Sequence, residues 1–370
     1  MREEGRISLW QFFILVSGFL IGTSTLIVPV GQARQGAWIS YLLAGALGLG
    51  AAFLYYTLGR RFPGETPLQY APRVLGRWLG TFLNVLFLWY ALHLAALVLR
   101  NIIELYKTIV LPHTPAAIIA GVFVFLGAYA VRVGLEVPAR VAELLLPIVL
   151  VFILVLTALG LTIPGLAHWE AMLPVLGEGL LPILRGVYPS FVFPFGEAVF
   201  FLVLFPFLTR PAQSLAPFAW GVVLATVVTL LALVRNIVVL GAPEVARINF
   251  PSLIAIQMIN IGDFLQRLEP FIIFVWTFTI LLKLNVVFYV FTLGTAQLLG
   301  LKDYRPLVLP TGMLLIFLSL SLYENISQML IFASRVFPFY FAPACLFYPG
   351  LILLVARLRH MQDREPRRTG

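Results

Sequence analysis

Long apolar runs separated by short polar intervals fill this chain almost from end to end. A membrane-crossing helix takes roughly 20 apolar residues. On that measure ten segments stand out, near 8–30, 37–58, 78–107, 115–131, 140–161, 186–208, 214–234, 269–298, 306–322 and 337–357. The third and eighth are too long to stand upright in a bilayer, so they are expected to tilt or project. The first is read as a retained span, because no small-residue cleavage site follows it. The interval 59–77 is rich in arginine and proline. Intervals 162–185 and 235–268 are long, and Ile254-Ala-Ile-Gln-Met-Ile-Asn-Ile-Gly-Asp in the second has the pattern of an interfacial amphipathic helix.

Composition turns this pattern into a class. Hydrophobic residues make up 61% and charged residues only 11%, where a soluble domain carries about 25% charged residues. The apolar surface is therefore destined for lipid. The net charge of +9 invites a nucleic-acid reading, but the basic residues cluster at the ends of apolar runs. With both termini cytoplasmic, they lie more than two to one on the inner side, as the positive-inside rule requires. Cys345 is the single cysteine, so no intramolecular disulfide forms, and His93, His113, His168 and His360 show no zinc spacing. The expectation is one all-α transmembrane domain spanning 1–370, without metal, cofactor or nucleic-acid partner.

Two of the ten helices are interrupted. The first reads Gly18-Phe-Leu-Ile-Gly22-Thr23-Ser24-Thr25-Leu-Ile-Val-Pro29, poor helix formers grouped at mid-membrane depth. The sixth reads Tyr188-Pro189-Ser190-Phe-Val-Phe193-Pro194-Phe195-Gly196-Glu197. There a proline removes a backbone donor beside a glycine and a carboxylate. Gly22 alone reads as a packing residue, and Pro194 alone as a kink. Together they are the first helices of two five-helix halves, 8–161 and 186–357. Irregular backbone at membrane depth must line a cavity or be buried in protein, and matched interruptions in two halves point to a transporter-type binding site. An odd number of spans per half makes the repeat inverted. The candidate ligand-binding residues are Gly22, Thr23, Ser24, Thr25, Phe193, Pro194, Phe195, Gly196 and Glu197, with His93 as a candidate cavity wall.

Glu197 and Lys283 both fall near the midplane, where an unpaired charge costs at least about 2.5 kcal/mol. They are expected to pair or to couple the site to protons. Arg100 and Glu104, four apart on the third helix, are expected to form a structural pair. Asn325-Ile-Ser327 matches the short glycosylation pattern. No paired-carboxylate site in water, activated serine or cysteine, or Walker-type glycine loop is present, so an enzyme or an ATP-driven pump is not expected.

The same residues resemble a known family. Ile7-Ser-Leu-Trp-Gln11-Phe-Phe, with Ile21-Gly-Thr23, Pro29 and Trp38-Ile-Ser, resembles the start of the B subunit of bacterial spore germinant receptors. Arg132-Val-Gly-Leu-Glu136-Val-Pro-Ala-Arg140-Val-Ala-Glu143 is similar to that family's segment between helices 4 and 5. Phe193-Pro-Phe-Gly-Glu197 with Pro206 resembles its helix-6 signature, and Leu282-Lys283-Leu-Asn its helix-8 lysine. The match runs from about Ile7 to Arg357. One departure shows: Gly36 precedes Ala37-Trp38 where the family often carries an acidic residue.

The resemblance implies the amino acid–polyamine–organocation superfamily, with ten helices in a five-plus-five inverted repeat. It further implies a sensor in the spore inner membrane that binds a small germinant such as an amino acid. Its implied partners are a membrane-embedded A subunit and a C-subunit lipoprotein. Lys283 would stand where related transporters hold a sodium ion between helices 1 and 8. The rival reading is a proton-coupled amino-acid permease that moves its ligand, with Glu197 or Lys283 titrating; a purely structural scaffold would bind nothing.

Overall fold

A computed structural model describes residues 5–26, 31–177, 179–260 and 267–361. The described residues form ten principal helices. They are α1 (Leu9–Ser24), α2 (Ala37–Arg61), α3 (Arg77–Val110), α4 (Ala116–Val133), α5 (Glu136–Thr162), α6 (Leu180–Val203), α7 (Leu215–Leu240), α8 (Glu269–Leu298), α9 (Arg305–Ser321) and α10 (Ile326–Leu358). Eight are long and apolar enough to cross a bilayer, and α1 and α9 are shorter apolar helices. The expected end of the first helix at Pro29 lies outside the described residues, as does the end of the proposed interfacial helix. The described part of that segment forms a short helix, Pro251–Gln257.

Packing explains why α1 is apolar on every side. From Phe12 onward almost all of its residues are buried, as a helix without a polar face must be when it sits inside a bundle. It packs against α5, α7 and α8, while α2 packs against α6 and α7. Some packings recur when the first five helices are exchanged with the last five, although the extensive α1–α8 packing has no α6–α3 counterpart of similar extent. α1 meets α7 as α6 meets α2, α4 meets α8 as α9 meets α3, and α1 meets α5 as α6 meets α10.

On one face the chain ends of three helices are tied together. Ser8 caps α1, with its hydroxyl accepting from Gln11 N at 3.1 Å and the Gln11 side chain accepting from Ser8 N at 3.0 Å. The Ile7 N–H donates to the Phe207 carbonyl and the Thr209 N–H to the Ile7 carbonyl, both at 3.0 Å. Arg6 N donates to Glu136 Oε1 at 2.9 Å, Arg6 Nη1 to the Pro206 carbonyl at 3.1 Å, and Gln11 Nε2 to Glu143 Oε2 at 3.2 Å. The motif residues at the start of α1, at the start of α5 and after α6 thus form one network. This side is called the N-terminal face below.

Several boundaries differ from expectation for physical reasons. α7 runs on to Leu240 because Arg235 and Asn236, read in the sequence as an outer polar segment, are buried inside the bundle. α10 starts at Ile326 because Asn325 caps it, its side-chain oxygen accepting from Gln328 N at 3.0 Å. Arg100 and Glu104 pair at 2.6 Å, and Arg100 also donates to the Ser319 carbonyl at 3.3 Å, joining α3 to α9.

Candidate functional site

Both interruptions exist. α1 ends at Ser24, and Thr25 is its cap, with its N–H donating to the Ile21 carbonyl at 3.4 Å. The regular part of α6, Leu180–Val192, stops before the cis Phe193–Pro194 peptide, and a tighter helix, Phe195–Val203, follows. Pro194 cannot donate to the preceding turn, so the ladder breaks where the sequence placed the break.

The centre lies between these breaks and α8. Lys283 and Glu197 are both fully buried and form an ion pair. The Lys283 ammonium also donates to Thr23 Oγ1 at 3.0 Å. Its nitrogen lies 5.0 Å from the Phe19 ring centroid and 5.1 Å from that of Phe193, distances at which aromatic faces attract a cation. One lysine therefore bridges α1, α6 and α8. Gly22 makes this approach possible: a Cβ there would lie 3.0 Å from the Thr279 carbonyl oxygen and 3.3 Å from Lys283 Cδ. Thr279, one turn before Lys283, shares its hydroxyl proton between the Val275 carbonyl at 2.8 Å and the Gly22 carbonyl at 3.3 Å. Glu197 Oε2 faces the lysine, whereas Oε1 is buried with no hydrogen-bond donor among the described residues. A buried carboxylate oxygen without a donor is costly, and it is suited to receive one from a ligand.

The other predicted residues face elsewhere. Ser24 Oγ lies 3.1 Å from Thr229 Oγ1 on α7, near the Tyr41 hydroxyl. The Thr25 carbonyl accepts from Ser252 at 3.1 Å. Phe195 turns towards α2, against Tyr41 and Gly48. Gly196 lets α6 approach α10: a Cβ there would lie 3.1 Å from Cys345 Sγ, and Tyr55 donates to the Cys345 carbonyl at 2.8 Å, with the Gly196 carbonyl 3.2 Å away. His93 contacts α10 instead, its Nδ1 lying 3.1 Å from the Tyr340 hydroxyl and its ring packing on Phe332. It shares no ion pair, hydrogen bond or ring contact with Glu197 or Lys283 among the described residues.

Gly22, Thr23, Phe193, Glu197 and Lys283 are thus brought together, and Thr279 and Phe19 join them unforeseen, while Thr229 and Tyr41 gather around Ser24 instead. The signal for Thr279 was present, since it stands four residues before Lys283 on one helical face. A separate groove of about 600 Å³ between α1 and α7, lined by Trp10, Phe13 and Trp220, opens on the apolar outer surface, remote from these charges.

Comparison with known proteins agrees with this architecture. The profile of the family described as "Spore germination protein" matches residues 6–329. Spore germination protein KB of Bacillus subtilis is 32% identical over 361 residues, covering 96% of this chain and 95% of that protein. Spore germination protein YndE of the same organism is 29% identical, covering 80% of this chain and 82% of its own length. Among solved structures, a nucleobase-cation-symport-1 family transporter, in a closed conformation with bromovinylhydantoin bound, superposes with a TM-score of 0.64 at 12% identity, over 96% of this chain and 80% of that one. That likeness is one of fold: an all-helical transporter scaffold with its first and sixth helices broken here. Sequence similarity over nearly its whole length shows that this multi-pass membrane protein belongs to the spore germination protein family.

Proposed function

We propose that this chain is the solute-sensing subunit of a spore germination receptor, binding a small germinant such as an amino acid beside the breaks of α1 and α6. The observation that carries this reading is Glu197 Oε1, a buried acceptor at the α6 break with no donor among the described residues. A ligand ammonium supplies that donor. The positive end of the helical turn starting at Phe195 suits the ligand carboxylate. Lys283 holds α1 and α8 together where a sodium ion sits in related ion-coupled transporters. Binding signals if the ligand prefers one of two helix packings, and only to the extent that it does. On this reading the protein works beside a membrane-embedded A subunit and a C-subunit lipoprotein in the spore inner membrane, with both termini cytoplasmic.

A second reading, a proton-coupled amino-acid permease, is favoured by the transporter fold alone. Purified protein in liposomes separates the two. Saturable amino-acid binding without accumulation under a pH gradient is the expected result, and sustained uptake would establish the permease. Loss of binding in Glu197→Gln is expected; unchanged affinity would remove the carboxylate from the site.

A further inference from the structure

The far end of α7, opposite the N-terminal face, carries a second buried cation that the central site does not use. Arg235 is only 1% exposed. Its Nε and Nη2 both donate to one acceptor, Asn236 Oδ1, at 3.2 and 2.8 Å. Its aliphatic stem lies against α5, where a Cβ at Gly160 would come within 2.9 Å of Arg235 Cγ. Among the described residues no carboxylate pairs with it and no aromatic ring faces it. A guanidinium has five N–H donors, two of which meet Asn236 Oδ1, and a buried charge without a counter-charge is strongly unfavourable.

Neighbouring groups extend this contact towards α1. Asn236 Nδ2 donates to Ser252 Oγ at 2.9 Å, and Ser252 donates to the Thr25 carbonyl at 3.1 Å. The short helix Pro251–Gln257 that carries Ser252 packs on α5, α7 and α8. Two of these helices hold further buried polar atoms without partners, Thr157 Oγ1 on α5 and the indole nitrogen of Trp276 on α8. Trp276 packs on Phe250, next to that helix, with ring centroids 6.2 Å apart. An indole N–H only donates. The carboxyl ends of α5 and α1 attract the guanidinium without cancelling its charge. This end of α7 therefore holds a buried cation with no carboxylate partner among the described residues, and its complement is an acceptor-rich anion.

We infer that Arg235 seats a small monovalent anion, a carboxylate or a halide, at the far end of α7. The seat connects through Asn236 and Ser252 to the Thr25 carbonyl, so its occupancy bears on the break of α1. This inference stands on the packing of α5, α7 and α8 and is independent of the ligand reading at Glu197.

The test uses the full-length protein in lipid nanodiscs, with unfolding temperature followed at constant ionic strength while methanesulfonate is replaced by chloride or by acetate. A saturable rise of about 2 °C or more is expected, since a ligand bound only by the folded state stabilises it. A response to chloride alone identifies a halide seat, and a response to acetate a carboxylate seat. Arg235→Gln should abolish the rise, and Arg235→Lys, which keeps the cation, should retain part of it. Chlorine NMR line broadening on the unaltered protein, above that of empty discs, gives a readout that survives a poorly folding variant. No saturable response to either anion, no excess broadening with no acetate response, or an undiminished response in Arg235→Gln would overturn the proposal.

Discussion

Replacing Lys283 by methionine removes the only donor, among the described residues, to a carboxylate that is fully buried. Glu197 Oε1 already lacks a donor and Oε2 depends on Lys283, so Lys283→Met leaves a side chain with no hydrogen bond at either oxygen. Breaking a buried pair from one side costs about 3–5 kcal/mol, which lowers the folded-to-unfolded ratio by a factor of roughly 100 or more. Glu197→Gln with Lys283→Met removes both charges at nearly constant volume. Such neutral replacement of a whole pair is often close to harmless, so the double variant should be more stable than Lys283→Met alone. A double-mutant cycle of unfolding in bicelles then reads a coupling of about 2 kcal/mol or more. Strict additivity, with coupling under about 0.5 kcal/mol, would refute the claim that these groups hold α6 and α8 together.

Other outcomes follow from single contacts. Gly22→Ala places a methyl group 3.0 Å from the Thr279 carbonyl oxygen, so it should cost about 1–3 kcal/mol in the same unfolding assay. Asn325→Ala removes the cap of α10 and should cost about 1 kcal/mol while leaving amino-acid binding unchanged. Cys345 is buried, so a water-soluble maleimide should label the folded protein negligibly and the denatured protein stoichiometrically; rapid labelling of the folded protein would mean that the packing of α6 on α10 opens readily.

Hydropathy located the ten principal helices because lipid enforces a length and an apolar character that sequence displays directly, but it missed the short helix Pro67–Leu75 inside the arginine-rich interval 59–77. The breaks were equally visible, since glycine, hydroxyl residues and proline have local causes at Gly22–Thr25 and Phe193–Gly196. What sequence misplaced were polar residues satisfied by partners far along the chain. Arg235 and Asn236 looked like the end of a helix, yet Asn236 reaches Ser252 and both lie inside the bundle. His93 looked like a cavity wall because it shares a helix with interior residues, but rotation of α3 turns it to Tyr340. Within the breaks, sequence could not separate Thr23, which meets Lys283, from Ser24, which meets Thr229. Neighbours in sequence point to different helices, and only packing decides which.

The lysine that bridges the two breaks has a thermodynamic consequence. A bound ion exchanges with solution on either side of a membrane, so its concentration difference can perform work on the protein. The ammonium of Lys283 is fastened to α8 by its own side chain and has no such reservoir. Its contribution is identical whatever the composition of the two compartments. The balance between helix packings is then set by the chain and by whatever binds it, and inverting a 1:99 population needs about 5.5 kcal/mol of differential affinity from that binding alone. On the proposed sensor reading, such a device would have a response threshold fixed by ligand concentration and indifferent to sodium gradients.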